Sequence, residues 1–302
     1  MTKKSRYHKV NKKNQFFKKI IFSRRVNYLI MLFIFIQVLS LNNKEKTMLD
    51  KYSYITLKIN STGNISIFHN KSIHNYDSKY THAPEPDEIY INEVQQNEIK
   101  SFYYFNNKEN SIKLVWKNEI STTCDLFYNC DKITEINLCN FNSSEVEYMA
   151  YMFDNCYSLT SLNLSNFDTS KVISMHGMFN DCNSLTSLNL SNFNTSKVTD
   201  MAYMFYYCNS LTSLDLSNFD TSKVTSMYSM FYHCWLLASL DLYNFDTSSV
   251  ETMYQMFEDC NSLTSLNLSN FDTSKVTSMH SMFDNCNSLT SLNLSNFNTS
   301  LI

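Results

Sequence analysis

Glycine and proline are almost missing, with two of each in 302 residues where an ordinary chain carries about 7% and 5%. That scarcity removes most devices for tight loops and phosphate cradles. Gly63 and Gly177 stand too far apart to make a nucleotide-binding loop. No His-Glu-x-x-His, no Cys-x-x-Cys and no nucleophile elbow occurs. The seven histidines form no ligand cluster: His69, His74 and His82 fall in an irregular stretch, and His176 and His280 share one variable repeat position. These absences point to a protein that is not an enzyme and holds no metal or cofactor. With 43% hydrophobic residues the chain can still bury a core, and its length allows roughly one to three domains.

Acid is missing from the first 25 residues, which hold ten Lys and Arg, among them Lys3, Arg6, Lys12, Lys18, Arg24 and Arg25. The other 15 Lys and Arg face 28 Asp and Glu, so the rest of the chain is acidic by 13 charges. A basic head alone reads as a nucleic-acid arm, but an apolar run, Val26 to Leu41 (VNYLIMLFIFIQVLSL), follows it directly. Basic then apolar is the order of a signal peptide or signal-anchor. The basic side is then expected on the cytoplasmic face, with the repeats across the membrane, and no nucleic acid as partner. Two fates stay open, cleavage after Ser40 or retention of residues 26–41 as an anchor.

Periodicity dominates what is present. Cys130, Cys156, Cys182, Cys208, Cys234, Cys260 and Cys286 are 26 residues apart, and the same step links Phe141, Phe167, Phe193, Phe219, Phe245, Phe271 and Phe297. It also links the Met-x-x-Met-Phe clusters from Met149 to Phe283. Within a unit, Leu162 and Leu164 alternate with polar residues as in a strand, while Val172, Met175, Met178, Phe179 and Cys182 recur at the three- and four-residue steps of a helix face. Thr169 or Ser170 is the expected helix N-cap. Units of strand, loop and helix cannot bury their apolar faces singly and must stack. The expected fold is α/β, a curved solenoid over 126–302 with parallel strands on the concave side and short helices on the convex side.

Residues 42–125 leave the period and read as a small β-rich cap. Lys51 to Ile59 and Ile65 to Phe68 alternate around Ser61-Thr62-Gly63, the pattern of a hairpin. Further short strands are expected at Glu88–Val94, Ile99–Phe105 and Ile112–Trp116, with a loop from Thr81 to Asp87.

The run Leu159-x-x-Leu162-x-Leu164, with Met-Phe-x-x-Cys-x-x-Leu leading into it, resembles the BspA-like leucine-rich-repeat surface proteins. It is especially similar to the variant catalogued as a domain of unknown function in mycoplasma lipoproteins. The resemblance covers about 126 to 302 and implies a cell-surface or secreted protein that adheres to host or matrix components, without catalytic residues. Phe167 and its equivalents stand near the place of the usual Asn of the leucine-rich consensus, so the resemblance does not by itself imply a buried Asn ladder.

Three side-chain groups remain as candidates. The ladder cysteines, on helices about 8–10 Å apart, lie beyond disulfide reach and read as buried free thiols. Cys124 and Cys139 are off the ladder and could pair. On the concave face, Asn163, Asn189, Asp215, Asp241, Asn267 and Asn293 form a polar row suited to a repetitive ligand such as a glycan, with Asp215 and Asp241 read as simple variants of the Asn. On the helix side, Tyr206, Tyr207, Tyr232, His233, Trp235 and Tyr254 replace residues that are mostly Asp or Asn in other units and form the candidate partner-binding patch. The expected partners are a protein or glycan of host, matrix or neighbouring cell, and the membrane through the N-terminal segment. Self-association into a surface coat is the alternative. Asn-x-Ser/Thr sequons at Asn60, Asn64, Asn70, Asn142 and Asn163 leave glycosylation open.

Overall fold

A computed structural model describes residues 52–69, 81–298 and 300, which fall almost wholly in one compact unit, Ser53–Ile302. The basic segment, the apolar run Val26 to Leu41, His74 and Asn70 lie outside the described residues. Seven strands build the cap and the first repeat edge: β1 (Ser53–Asn60), β2 (Gly63–Ser66), β3 (Glu88–Ile91), β4 (Val94–Gln95), β5 (Phe102–Phe105), β6 (Glu109–Trp116) and β7 (Ile133–Asn137). The repeats add β8 (Ser161–Asn163), β9 (Ser213–Leu214), β10 (Ser239–Leu240), β11 (Ser265–Asn267) and β12 (Ser291–Asn293).

The cap grows into the repeats through one sheet, in the order β4-β3-β6-β1-β7-β8. β1 pairs antiparallel with β6 on one side and with β7 on the other, so a cap strand covers the first edge of the repeat ladder. The expected hairpin does not form. Its two strands exist, but β1 takes β6 and β7 as partners while β2 pairs with β5. The cap also closes the opposite side of the first coil, where the His69 and Ala83 N–H groups donate to the Leu126 and Cys124 carbonyls.

The repeats stack as 26-residue coils in parallel register, Glu135 beside Ser161 and Ser265 beside Ser291. A second parallel ladder of single bridges runs Thr122, Tyr148, Ser174, Asp200, Ser226, Thr252, Ser278. No helix occurs among the described residues, so the architecture is β-rich and the expected convex helices are corrected. The reason is spacing. Phe127, Phe153, Phe179, Phe205, Phe231, Phe257 and Phe283 stack ring on ring with centroids 5.6–5.8 Å apart, whereas packed helices need about 8–10 Å. The spacing mismatch from which curvature was expected is therefore absent.

In place of a helix each coil makes a run of tight turns. Met152 N–H donates to Met149 C=O, Asp154 to Tyr151 and Cys156 to Phe153, three residues back in each case. The intervening amides, Met149, Tyr151, Phe153 and Asn155, donate to carbonyls 25 residues ahead on the next coil. From Tyr151 to Cys156 each amide thus finds a partner, alternately within the coil and across coils. Turns of this kind satisfy the same three-residue apolar spacing as a helix face, which is why Val172, Met175, Met178, Phe179 and Cys182 are all buried without one.

The turns demand left-handed backbone at two positions per coil. One column is Asp125, Tyr151, Gly177, Tyr203, Ser229, Gln255 and Ser281; the other is Asn129, Asn155, Asp181, Tyr207, His233, Asp259 and Asn285. Asn and Asp tolerate that region best among non-glycine residues, and five of the second column are Asn or Asp. At Gly177 a Cβ would meet the Tyr151 ring at 2.6 Å, so here the lack of a side chain makes room for the neighbour.

Side chains bind the coils at the remaining corners. Thr169 does not cap a helix. Its hydroxyl accepts the Asn194 N–H at 2.7 Å and donates to the Asn194 C=O at 3.1 Å, one coil ahead. Thr195, Thr247 and Thr273 repeat the pattern. An Asn ladder stands one residue before each Phe: Asn192 Nδ2 donates to the Leu164 and Phe167 carbonyls, and Asn218 to those of Leu190 and Phe193.

Candidate functional site

All nine cysteines are free, including Cys124 and Cys139, so the pairing left open between those two is not formed. The helix spacing invoked to separate the ladder thiols does not hold. From Cys156 onward the ladder thiols are instead engaged across the stack: Cys156 Sγ donates to Phe127 C=O, Cys182 to Phe153 and Cys208 to Phe179, at 3.1–3.2 Å. Burial pushes the Cys130 thiol up to about 12 and raises Cys156, Cys182 and Cys234 well above the ordinary thiol value, so the ladder holds inert thiols. Among the described residues no group of three His, Cys, Asp or Glu is arranged to hold a metal.

The polar row on the strand side is exposed as expected, but its carbonyl and carboxylate oxygens do structural work. Oδ1 of Asn163, Asn189, Asp215, Asp241, Asn267 and Asn293 each accepts the N–H two residues ahead, at 3.0–3.1 Å. Only an acceptor is needed there, which is why Asn and Asp interchange. The Ser217 N–H and hydroxyl hold the Asp215 carboxyl below its ordinary value. An open groove between β11 and β12 is lined by Ser265, Leu266, Asn267, Ser291, Leu292 and Asn293.

The turn side brings the aromatic candidates into one cluster. Tyr206 stacks on Tyr232 with centroids 4.7 Å apart and planes within 9°. Tyr207 stacks on His233 at 4.4 Å, and His233 lies 5.4 Å from Trp235. Tyr254 joins by stacking on Tyr228, which contacts Tyr203, which in turn meets Tyr206 edge-on at 5.3 Å. Tyr203 escaped the sequence reading because it occupies another column of the repeat, and Tyr228 escaped it although it stands one coil before Tyr254 in the same column. His176 and His280, which share one repeat position, extend the same network, against Tyr203 and Tyr254.

The cluster breaks the local backbone rule. Tyr207 and His233 sit at left-handed positions where the other coils carry Asn or Asp, at a cost of order 1 kcal/mol each. Trp235 and Leu236 stand 44% and 51% exposed where other coils place Asn-Ser, Tyr-Ser or, in the first, Asp131-Lys132. Burial raises the Tyr203 and Tyr206 hydroxyls and pushes Tyr232 to about 12, so all three remain neutral hydrogen-bonding groups at neutral pH. His233 Nε2 pairs with Asp259 Oδ2 at 2.7 Å, and burial lowers the imidazole against the pull of Asp259 and Glu258. The arrangement offers ring surface, hydroxyls and a carboxylate-anchored imidazole, chemistry suited to binding.

Among the described residues no helix is long and apolar enough to cross a membrane. No curated protein and no solved structure matches the chain. The family described as Mycoplasma protein of unknown function, DUF285, matches residues 121–239 and 209–302. These ranges span more than half of the protein, and the chain belongs to that family.

Proposed function

We propose that the protein is a non-enzymatic interaction module, carried to the cell surface or released outside by its N-terminal segment, and kin to the BspA-like leucine-rich-repeat adhesins. Its partner is a protein or glycan of host, matrix or neighbouring cell, met by the aromatic cluster of the middle coils. The observation that carries this reading is the linked set of rings around Tyr206, Tyr232 and Trp235, partly or largely exposed at positions that are mostly small and polar in other coils. Aromatic anchors with polar tips dominate binding energies at protein surfaces. Changing Tyr206, Tyr232 and Trp235 together to Asn is expected to abolish attachment of cells displaying the protein. Unchanged attachment overturns the reading.

Display is tested separately, by labelling intact cells that carry the full chain with a C-terminal tag and sequencing the N-terminus of the labelled product. A tag outside the cell supports the proposal, with a start near Leu41 meaning release and an intact basic head meaning anchoring. A tag found only inside contradicts it.

Self-association into a surface coat is the second reading. It is favoured by the near identity of the units, which present the same Ser-Leu-Asn strand at Ser161–Asn163, Ser265–Asn267 and Ser291–Asn293. Concentration-dependent oligomers in the absence of any ligand would support it.

A further inference from the structure

Charge on the stack is segregated. The turn segments 149–158, 174–184, 200–210, 226–236, 252–262 and 278–288 contain no Lys or Arg and carry five partly or fully exposed carboxylates, Asp181, Asp200, Glu258, Asp259 and Asp284, besides the buried Asp154. Lys132 closes the equivalent turn of the first coil, 122–132, while Lys171, Lys197, Lys223 and Lys275 lie outside the turn segments.

The period converts this into a layout. One column of the turn face reads Asp154, Asn180, Tyr206, Tyr232, Glu258, Asp284; the next reads Asn155, Asp181, Tyr207, His233, Asp259, Asn285. Neighbouring rungs are about one ring stack apart, as the 4.7 Å between Tyr206 and Tyr232 and the 4.4 Å between Tyr207 and His233 set. The aromatic island is therefore flanked along the stack axis by acid on both sides. Glu258 Oε2, enclosed beside Tyr232, has no hydrogen-bond partner among the described residues. An enclosed carboxylate oxygen without a donor is costly unless a donor arrives.

Resting on the interaction reading above, we propose that this face binds an extended peptide segment bearing arginine or lysine side chains, which lies along the stack with its cations over the rings and against Glu258 and Asp181. Exposed aromatic surface attracts cations, and a face with one sign of charge concentrates ligands of the other. Arginine suits the site better than lysine, because its planar guanidinium stacks on rings while donating in a fork to carboxylates. The match is with a chain more than with a small ion, since rings and acids extend over several rungs.

The test titrates the full-length protein with a short poly-arginine peptide and follows tryptophan emission. Trp235 is the reporter, because Trp116 is 2% exposed. The expected result is a saturable change in emission that weakens with salt, with poly-lysine weaker and poly-glutamate inert. Asp181→Asn with Glu258→Gln is expected to weaken binding about tenfold, while Glu145→Gln with Glu251→Gln, off this face, leaves it unchanged. No binding, equal binding of poly-glutamate, or equal loss with the off-face pair overturns the proposal. Choline chloride binding as tightly as the peptide also overturns it, in favour of a small quaternary ammonium ligand. If the peptide fails yet the Tyr206, Tyr232 and Trp235 triple variant still abolishes cell attachment, the interaction face stands and its cationic partner falls. If the triple variant attaches normally, the interaction reading itself falls.

Discussion

The two sides of each coil do different work. The strand side is uniform in sequence yet past the first coil holds two- and three-residue strands among the described residues, and residues 187–189 make no strand at all. The turn side varies most in sequence yet carries a dense ladder, with amides bonded alternately within a coil and to the next. Backbone geometry and buried Met, Phe and Cys define the turn side, so its outward positions are free to change. Uniformity on the strand side reflects local turns such as Asp215 to Ser217 and not strong pairing. Variation collects where the scaffold is firm.

Truncating the turn-side core should break the stack most severely. Phe205→Ala removes a buried ring stacked 5.7 and 5.6 Å from its neighbours and is expected to cost about 3–5 kcal/mol in urea unfolding. Leu214→Ala on the strand side, 8% exposed, should cost about 2 kcal/mol. Equal losses would remove the asymmetry.

Asp154 sharpens the comparison through pH. Burial, aided by the charge of Asp181, raises its carboxyl from 3.8 to about 8. The folded state then binds the proton more tightly than the unfolded chain, so stability should fall as pH rises from about 4 toward 8. Asp154→Asn, which places there the residue that Asn180 supplies one coil on, should flatten this dependence and stabilise at pH 8 by on the order of 2 kcal/mol. Urea midpoints at pH 5 and pH 8 check it.

Smaller effects probe the corners and the backbone. Thr195→Val strips the Asp220 N–H and C=O of their shared partner and should cost about 1–2 kcal/mol. Gln255→Val forces a branched side chain into a φ of 53° and should cost about 1–2 kcal/mol, while Ser265→Val, exposed in β11, should be neutral or slightly favourable. Least of all, Asp215→Asn with Asp241→Asn keeps each acceptor and should shift stability by less than about 0.5 kcal/mol.

Much of this was legible. The 26-residue ladder fixed the units and their stacking, and strict identity at one column placed Tyr206 beside Tyr232 and Tyr207 beside His233 before any coordinates. The strands at Glu88, Phe102 and Ile112 also emerged from alternation. Helix and turn could not be told apart from Val172, Met175 and Met178, because three-residue turns and helix faces repeat apolar residues alike. The signal that separates them was present, the Asn or Asp before Cys130, Cys156, Cys182, Cys260 and Cys286, which marks left-handed backbone where a helix would be interrupted. The pairing of β1 with β7 and the reach of Asn192 to Leu164 join residues far apart in the chain, and no local pattern encodes them.

Backbone chemical shifts across residues 200–210 test the central claim most directly. The turn ladder predicts left-handed shifts at Tyr203 and Tyr207 with no continuous helical run between them. An unbroken helical pattern from Met201 to Cys208 would contradict it and would restore a helix to the variable side of every coil.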